Sequence, residues 1–261
     1  MKNKLFKNCF IAFVFFFLYL PIIILVVYSF NSSKMNIIFE NFTFDWYKNL
    51  FDNKELLTAF FNTMLIAVTS TVVSTVIGVL GAIGLKRYNF PFKNLINGLL
   101  YIPIVIPEIV LGISLLSVYT LMKLELGLFT LILSHIAFSI PFVIVSVRST
   151  LNDKLKTYEE AAHDLGASNF QTFFKVTLPQ IKPGAISGAI LAFTLSLDDV
   201  VISYFTAGPG SNTLPLKIYS IIKTGITPDV NALTTIMLVV TMIILTTTAF
   251  IQGRKITEAS R

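Results

Sequence analysis

Long apolar runs bounded by charged or turn residues constrain this chain more than any other feature. They cover approximately residues 9–30, 58–85, 94–121, 128–147, 184–206 and 232–251. Each is close to or above the ~20 residues that a helix needs to cross a bilayer. Only 13% of the residues are charged, about half the fraction typical of a soluble domain. The pattern predicts an all-α integral membrane protein with six transmembrane helices in a single domain, residues 1–261, and argues against a water-soluble enzyme.

The distribution of Lys and Arg predicts the orientation, because cytoplasmic loops are enriched in positive residues. The two termini and every second connection between the predicted spans hold 14 of the 20 Lys and Arg residues, and the remaining connections hold the other six. We therefore expect both termini and the 148–183 loop in the cytoplasm, with loops 31–57 and 207–231 outside. The larger set is Lys2, Lys4, Lys7, Lys86, Arg87, Lys93, Arg148, Lys154, Lys156, Lys175, Lys182, Arg254, Lys255 and Arg261.

Several chemistries are excluded by what the sequence lacks. The single cysteine, Cys9, rules out an internal disulfide framework and a Cys-based zinc site, and we expect no metal site. No Gly-Lys-Ser/Thr phosphate loop occurs, so the chain has no P-loop of its own for ATP. The net charge of +6 is not concentrated in a basic stripe on a soluble fold, which argues against nucleic acid. The first apolar run is too long for a signal peptide and is expected to stay as an anchor.

The 148–183 loop carries two helix-capping patterns. Thr157 with Glu160 and Ser168 with Gln171 each fit a capping box. Gly166 lies between them and predicts a turn with positive φ. We expect Pro179 and Pro183 to stop the second short helix, after which the chain restarts as the fifth span. The apolar residues of both short helices could pack against the ends of the spans, or they could meet a partner.

Part of this loop resembles the EAA loop of ABC importer permeases. The matching residues are Glu160-Ala161-Ala162, Gly166 and Leu178-Pro179, and Val176 stands where that family often has Ile. In the family this loop forms a coupling helix that docks on the ATPase subunit. Carboxylates at the start of such a helix could also face a basic partner surface. The resemblance implies a coupling role for Glu159, Glu160, Ala161, Ala162, Gly166, Leu178 and Pro179.

Three carboxylates lie inside predicted spans, namely Glu108, Asp198 and Asp199. Ionised acids in a membrane are costly, about 2.5–3.5 kcal/mol each, and commonly mark a transport path. No Lys or Arg lies inside a span to neutralise them. His135 is the one basic candidate there, but a lone histidine of this kind is more often hydrogen-bonded to the backbone. The acids could instead cap helix kinks or pair with a partner subunit.

The acids are also expected to share one depth. Glu108 and Asp198 each lie 14 residues from the start of an outward-running span, about 21 Å at 1.5 Å per residue. Pro103 and Pro107 should break the third helix just before Glu108. Asp198 and Asp199 are adjacent and should point about 100° apart, so only one of them can face the path squarely. An acidic path without basic residues suits a cationic cargo.

A second resemblance concerns the fifth span and the loop after it. Ser196–Ser203, Gly208-Pro209 and the Leu214–Tyr219 run resemble the spermidine/putrescine permeases of ABC importers, and in particular the second of that importer's two permease subunits. The resemblance implies that Trp46, Glu108, Ser196, Asp198 and Asp199 handle polyamine. Trp46 could equally be a membrane-interface anchor. Pro215 is expected to begin a short outer helix.

The resemblance implies a non-enzymatic permease in a bacterial cytoplasmic membrane. It would pair with a sister permease, an ATPase dimer that binds Mg-ATP, an extracytoplasmic polyamine-binding protein and membrane lipid. This chain itself would bind no cofactor. Two alternatives stay open: an importer for another small solute, or a self-sufficient channel or secondary transporter. The absence of inverted repeats weighs against the last.

Overall fold

The computed structural model of the chain describes residues 2–33, 38–152, 154–224 and 228–259. Lys34 and Arg261, two of the charges used to predict orientation, lie outside these residues. The helices are α1 (Lys2–Tyr28), α2 (Asp45–Asp52), α3 (Lys54–Arg87), α4 (Lys93–Val105), α5 (Glu108–Leu121), α6 (Leu128–Arg148), α7 (Lys154–Asp164), α8 (Asn169–Thr172), α9 (Leu178–Asp198), α10 (Val201–Thr206), α11 (Leu214–Thr224) and α12 (Pro228–Ala259). The described residues form no strand beyond one isolated bridge, Asn31 with Phe42, which confirms the all-α prediction.

Among the described residues, three helices are long and apolar enough to cross a membrane: Phe6–Tyr28 within α1, all of α3 and all of α6. A fourth candidate is the pair α4 and α5, which is bent by 114° at a short break. The protein is thus a multi-pass membrane protein. The count of six spans and the positions of the termini stay predictions.

The third predicted span is a broken helix. Pro107 precedes α5 in an extended conformation, with φ −54° and ψ 134°, while Pro103 lies inside α4. A proline lacks the N–H that would continue the helix and restricts the residue before it, so a break at this point is expected. The predicted break before Glu108 is confirmed. The prediction of one helix over 94–121 with a constant rise per residue is wrong.

The fifth predicted span begins earlier than the sequence suggested. The short helix α8 passes through a π-helical turn, Phe173–Thr177, directly into α9, which includes Pro179 and Pro183. Pro179 follows the π-helical turn, in which the Leu178 N–H donates to the Phe173 carbonyl oxygen, and Pro183 lies inside α9. The prediction that Pro179 and Pro183 stop the second short helix is therefore wrong. The fifth predicted span also ends earlier, at Asp198, and a separate helix, α10, follows.

The residues form two compact units, Met1–Leu57 with Ser220–Arg261, and Thr58–Tyr219. In the second unit α6 packs along α9. The close approach requires small residues, because a Cβ at Gly184 would lie 2.7 Å from the Ser146 carbonyl oxygen. An apolar core joins α3, α6, α7 and α9 there, through Val79, Ala82, Ile83, Leu85, Val143, Ile144, Val147, Leu155, Ile181 and Ala192.

Candidate functional site

The break between α9 and α10 is held by the side chain of Asp199. Asp199 is extended, with ψ 124°, and its carboxylate turns back onto the first turn of α10. Oδ1 accepts from the Ile202 N–H at 3.1 Å, and Oδ2 accepts from the Ser203 N–H and hydroxyl, both at 2.7 Å. These N–H groups have no partner within the helix, so a carboxylate here both caps the helix and meets its positive end.

His135 of α6 supports Asp199 from the other side. The imidazole is 2% exposed, and its Nε2 lies 3.5 Å from Asp199 Oδ2 and 3.2 Å from Ser203 Oγ. Its Nδ1 lies 2.6 Å from Ser196 Oγ, and Ser196 Oγ lies 3.3 Å from Ser70 Oγ of α3. The expectation that His135 bonds to the backbone is wrong, since its partners are side chains. Sequence reasoning noted His135 as the one basic group in a span but missed this pairing.

We call this buried set of side chains, Ser70, Ser196, His135, Asp199 and Ser203, the polar network. It joins four helices, namely α3, α9, α6 and α10. Ser196 is 4% exposed and Asp199 is 8% exposed. Ser196 and Asp199, two of the five residues predicted to handle cargo, thus lie inside the protein in this conformation.

Glu108 and Asp198 are the exposed acids of the site. Glu108 is the first residue of α5, Asp198 is the last residue of α9, and both side chains are exposed. They lie within electrostatic range of each other and of Asp199. The structure thus brings together the three predicted acids. Asp198 is exposed and Asp199 is buried because α9 ends at Asp198 and the Asp199 carboxylate turns onto α10, so the helix geometry assumed for this pair in the prediction does not apply.

The proximity of these acids has a different cause from the one expected. The predicted common depth assumed a straight third helix, but α5 turns away from α4 by 114°. Instead, α5 packs against α10, and Gly112 permits the approach because a Cβ there would lie 2.7 Å from Phe205 Cδ2. Within the described residues, neither Glu108 nor Asp198 forms an ion pair with Lys or Arg. The site therefore presents negative charge without a resident counterion.

Two side chains of α3 hold the loop that follows α10. Asn62 Nδ2 donates to the carbonyl oxygens of Gly210 at 3.3 Å and Asn212 at 3.1 Å. The Leu214 N–H donates to Thr63 Oγ1 at 2.8 Å at the start of α11. These contacts were not predicted, because polar residues in an apolar run gave no indication of their partners. The predicted short helix near Pro215 is confirmed as α11.

Trp46 belongs to the other unit. It lies in α2, partly exposed, and its indole N–H donates to the Asn31 carbonyl oxygen at 2.5 Å. Tyr47 beside it is hydrogen-bonded to Ser29 at 2.6 Å. These contacts fix the ring against the end of α1. A role for Trp46 in the cargo path stays a prediction.

The predicted coupling residues lie on α7 and at the start of α9. Glu159 is largely buried and pairs with Arg87, at the end of α3, and with Thr177. Glu160, by contrast, is exposed, and its one ion-pair partner among the described residues is Lys156, at 3.6 Å on the same helix. Ala161 is exposed, Ala162 and Leu178 are half-buried, and Pro179 is exposed. Of the two glutamates expected to face a partner, only Glu160 remains available.

The turn after α7 has the predicted geometry at Gly166, with φ +81°. The Gly166 N–H donates to the His163 carbonyl oxygen at 2.8 Å, and the Ala167 N–H donates to the Ala162 carbonyl oxygen at 2.9 Å, which closes the end of α7. Ser168 and Gln171 form the predicted capping box. The capping box predicted at Thr157 is wrong, because α7 begins at Lys154 and Thr157 lies inside it.

Large apolar side chains remain uncovered around this turn. Leu165 is 90% exposed and Phe170 is 73% exposed. Phe170 also contacts Phe174, with ring centroids 4.5 Å apart, whereas Phe173 packs against the core. Leu165 and Phe170 therefore do not pack against the spans. Large apolar side chains exposed on a polar loop are available to a partner protein.

Solved structures with the same architecture are membrane transporters. A bacterial ABC transporter that imports the acidic polysaccharide alginate aligns with a TM-score of 0.73 and 15% identity, over 95% of each chain. The methionine ABC transporter MetNI aligns with a TM-score of 0.61 and 19% identity, over 75% of this chain and 94% of that one. At such identities the likeness shows the fold alone.

The sequence family follows from a match to a family model. Residues 74–256 match the family described as "Binding-protein-dependent transport system inner membrane component". The chain belongs to this family, and it is thus a membrane subunit of a transport system rather than an enzyme. The spermidine/putrescine transport system permease protein PotC of Escherichia coli K12 is 44% identical, over 93% of this chain and 92% of that protein. The putrescine permease PotI of the same strain is 37% identical, over 86% and 82%.

Proposed function

We propose that the chain is a permease subunit of an ATP-driven importer of polyamines, spermidine and putrescine. The observation that carries this proposal is the 44% identity to a spermidine/putrescine permease over nearly the whole chain. The geometry of the acids supports it independently. Glu108 and Asp198 are exposed, within electrostatic range of each other and without a cationic partner among the described residues. A polyammonium cargo would neutralise them during its passage.

The complete importer contains several partners. This chain pairs with a sister permease, as the second of two permease subunits, in the cytoplasmic membrane of a bacterium and in contact with its lipid. Two copies of an ATPase bind Mg-ATP on the cytoplasmic side, and an extracytoplasmic protein delivers the polyamine. The chain itself spans the membrane six times with both termini inside and binds no cofactor. Support comes from the relatives, which are named as parts of transport systems, and from the family description.

Alternating access would move the cargo. ATP closes the ATPase dimer, and α7 with the turn after it receives the motion through the exposed side chains of Leu165, Phe170 and Glu160. The Arg87–Glu159–Thr177 cluster passes the motion to the ends of α3 and α9. Because α9 ends at Asp198, movement of that helix reaches the acidic site directly.

Reconstitution of the four-component complex in proteoliposomes tests the proposal. We expect ATP-dependent uptake of labelled spermidine that is stimulated by the binding protein. Unlabelled putrescine should compete, whereas glutamate, a small anionic control, should not. Spermidine flux through this chain alone would support a self-sufficient channel or secondary transporter. ATP-dependent uptake of another solute with no uptake of polyamine would contradict the cargo.

A further inference from the structure

One side chain of the polar network, His135, contacts both helices that flank the break between α9 and α10. The two ring nitrogens of His135 contact opposite sides of the break: Nδ1 reaches Ser196 of α9 and Nε2 reaches Ser203 of α10 and Asp199. Ser196 stands two residues before Asp198, the exposed acid at the end of α9. Among the described residues of the network, only His135 touches both helices from outside them.

The hydrogen-bond directions show which ring nitrogen of His135 is a donor. Ser203 donates its hydroxyl hydrogen to Asp199 Oδ2, so a hydrogen bond between Ser203 Oγ and His135 requires Nε2 to be the donor. The same nitrogen lies 3.5 Å from Asp199 Oδ2. Both oxygens of Asp199 therefore accept hydrogen bonds inside the protein. Because Asp199 is also buried, it is less accessible to a cargo ammonium group than Asp198 is.

From this arrangement we propose that His135 is a positioning residue for the cargo path. It clamps α9 to α10 across the break, and thereby keeps Asp198 on the exposed side, within electrostatic range of Glu108, while Asp199 and Ser196 stay buried. His135 itself is 2% exposed and does not contact cargo. The inference rests on the proposed function, because it assigns His135 an effect on transport that acts through Asp198.

Three substitutions separate the contacts of the ring. His135→Phe keeps a planar ring and removes both hydrogen bonds. His135→Gln places an amide near the Nε2 position and retains a donor toward Asp199, whereas His135→Asn retains only the contact on the Ser196 side. Because His135→Phe removes the hydrogen bonds on both sides of the break, we expect it to lower spermidine uptake per assembled complex about tenfold or more. His135→Gln should retain most of the uptake.

A double-mutant cycle with Asp198→Asn distinguishes positioning from general support of the fold. If His135 acts through Asp198, then His135→Phe should lower uptake about tenfold in the wild-type background and less than about twofold in the Asp198→Asn background. Uptake is normalised to complexes that retain the ATPase. Should His135→Phe fail to assemble, the same cycle is run with His135→Asn, which keeps part of the network.

Tyr119→Phe is the matched control. It removes a buried hydrogen bond of 2.9 Å to Ser134, the neighbour of His135 on α6, without touching the polar network. Its effect should be the same in both backgrounds. Equal fold-losses from the His135 substitution in both backgrounds would overturn the positioning role while leaving the polyamine function intact. A wild-type complex that fails to take up spermidine would instead overturn the proposed function, and this inference with it.

Discussion

At the residue scale, the site contains one buried acid that accepts several hydrogen bonds and two exposed acids. Asp199 receives the Ile202 and Ser203 N–H groups, the Ser203 hydroxyl and the His135 ring. Asp198, its neighbour, is exposed and lies near Glu108. The two adjacent aspartates therefore have different roles: Asp199 fixes the local backbone, and Asp198 presents a carboxylate at the surface.

Asp199→Asn should accordingly impair assembly of the complex, measured as ATPase retained on purification, more than it alters uptake per assembled complex.

Gly166 offers a test of coupling at one residue. Its φ is +81° and the space around a Cβ there is empty, so a substitution acts only through the backbone. A β-branched side chain is strongly disfavoured at positive φ, at a cost of about 1–2 kcal/mol, whereas Asn tolerates it. We expect Gly166→Val to lower cargo-stimulated ATP hydrolysis several-fold and Gly166→Asn to leave it nearly unchanged. Equal stimulation in both variants would remove Gly166 from the coupling mechanism.

At the element scale, α7 is joined to the spans by the Arg87–Glu159–Thr177 cluster. Glu159→Gln weakens this junction without touching the outer face of α7, so ATP hydrolysis should continue with less uptake per ATP. Glu160→Gln alters the exposed face and should instead lower retention of the ATPase. Uptake and hydrolysis measured on the same vesicles distinguish the two. The reversed pair Arg87→Glu with Glu159→Arg should restore part of the coupling, and no difference between Glu159→Gln and Glu160→Gln would argue against separate roles.

The packing of α6 on α9 depends on Gly184. A Cβ there would lie 2.6 Å from Thr150 Oγ1 and 2.7 Å from a backbone oxygen, so the helices must separate to accept it. Overpacking of this kind costs about 1–3 kcal/mol. We expect Gly184→Ala to lower the thermal midpoint of the purified complex by several degrees. Gly84→Ala is the control, because nothing lies within 4 Å of a Cβ at Gly84, and an equal drop there would contradict the packing argument.

At the scale of the whole molecule, the bend between α4 and α5 bears on the topology. If the pair crosses the membrane, a reporter fused after Asn89 should be cytoplasmic and one fused after Glu125 should be outside. Reporters after Asn169 and Asn212 should likewise be inside and outside. Asn89 and Glu125 on the same side would mean that the pair with its 114° bend enters and leaves on one face, and the count of six spans would be wrong.

Much of this fold could be predicted from the apolar runs and from the glycine and proline residues that interrupt helices. Apolar runs located α1, α3, α6 and α12, and Gly166 and Pro107 marked a turn and a break because each has a local conformational requirement. The continuity of α8 with α9 could not be predicted, because a proline within a continuing helix and a proline that ends a helix give the same sequence pattern. The pairing of His135 with Asp199 also depends on helix packing, which sequence spacing does not encode.

Removal of charge from the two exposed acids tests the cationic path most directly. Glu108→Gln and Asp198→Asn keep side-chain size and much of the hydrogen bonding while they remove one charge each. Labelled-spermidine uptake, at matched membrane abundance and ATPase retention, should fall strongly in both, and the double variant should lose less than the product of the two because neighbours that share a partner are not independent. Glu125→Gln, an exposed acid between α5 and α6, is the control and should transport normally. Near-normal uptake by both Glu108→Gln and Asp198→Asn would contradict the path and leave these acids as structural groups.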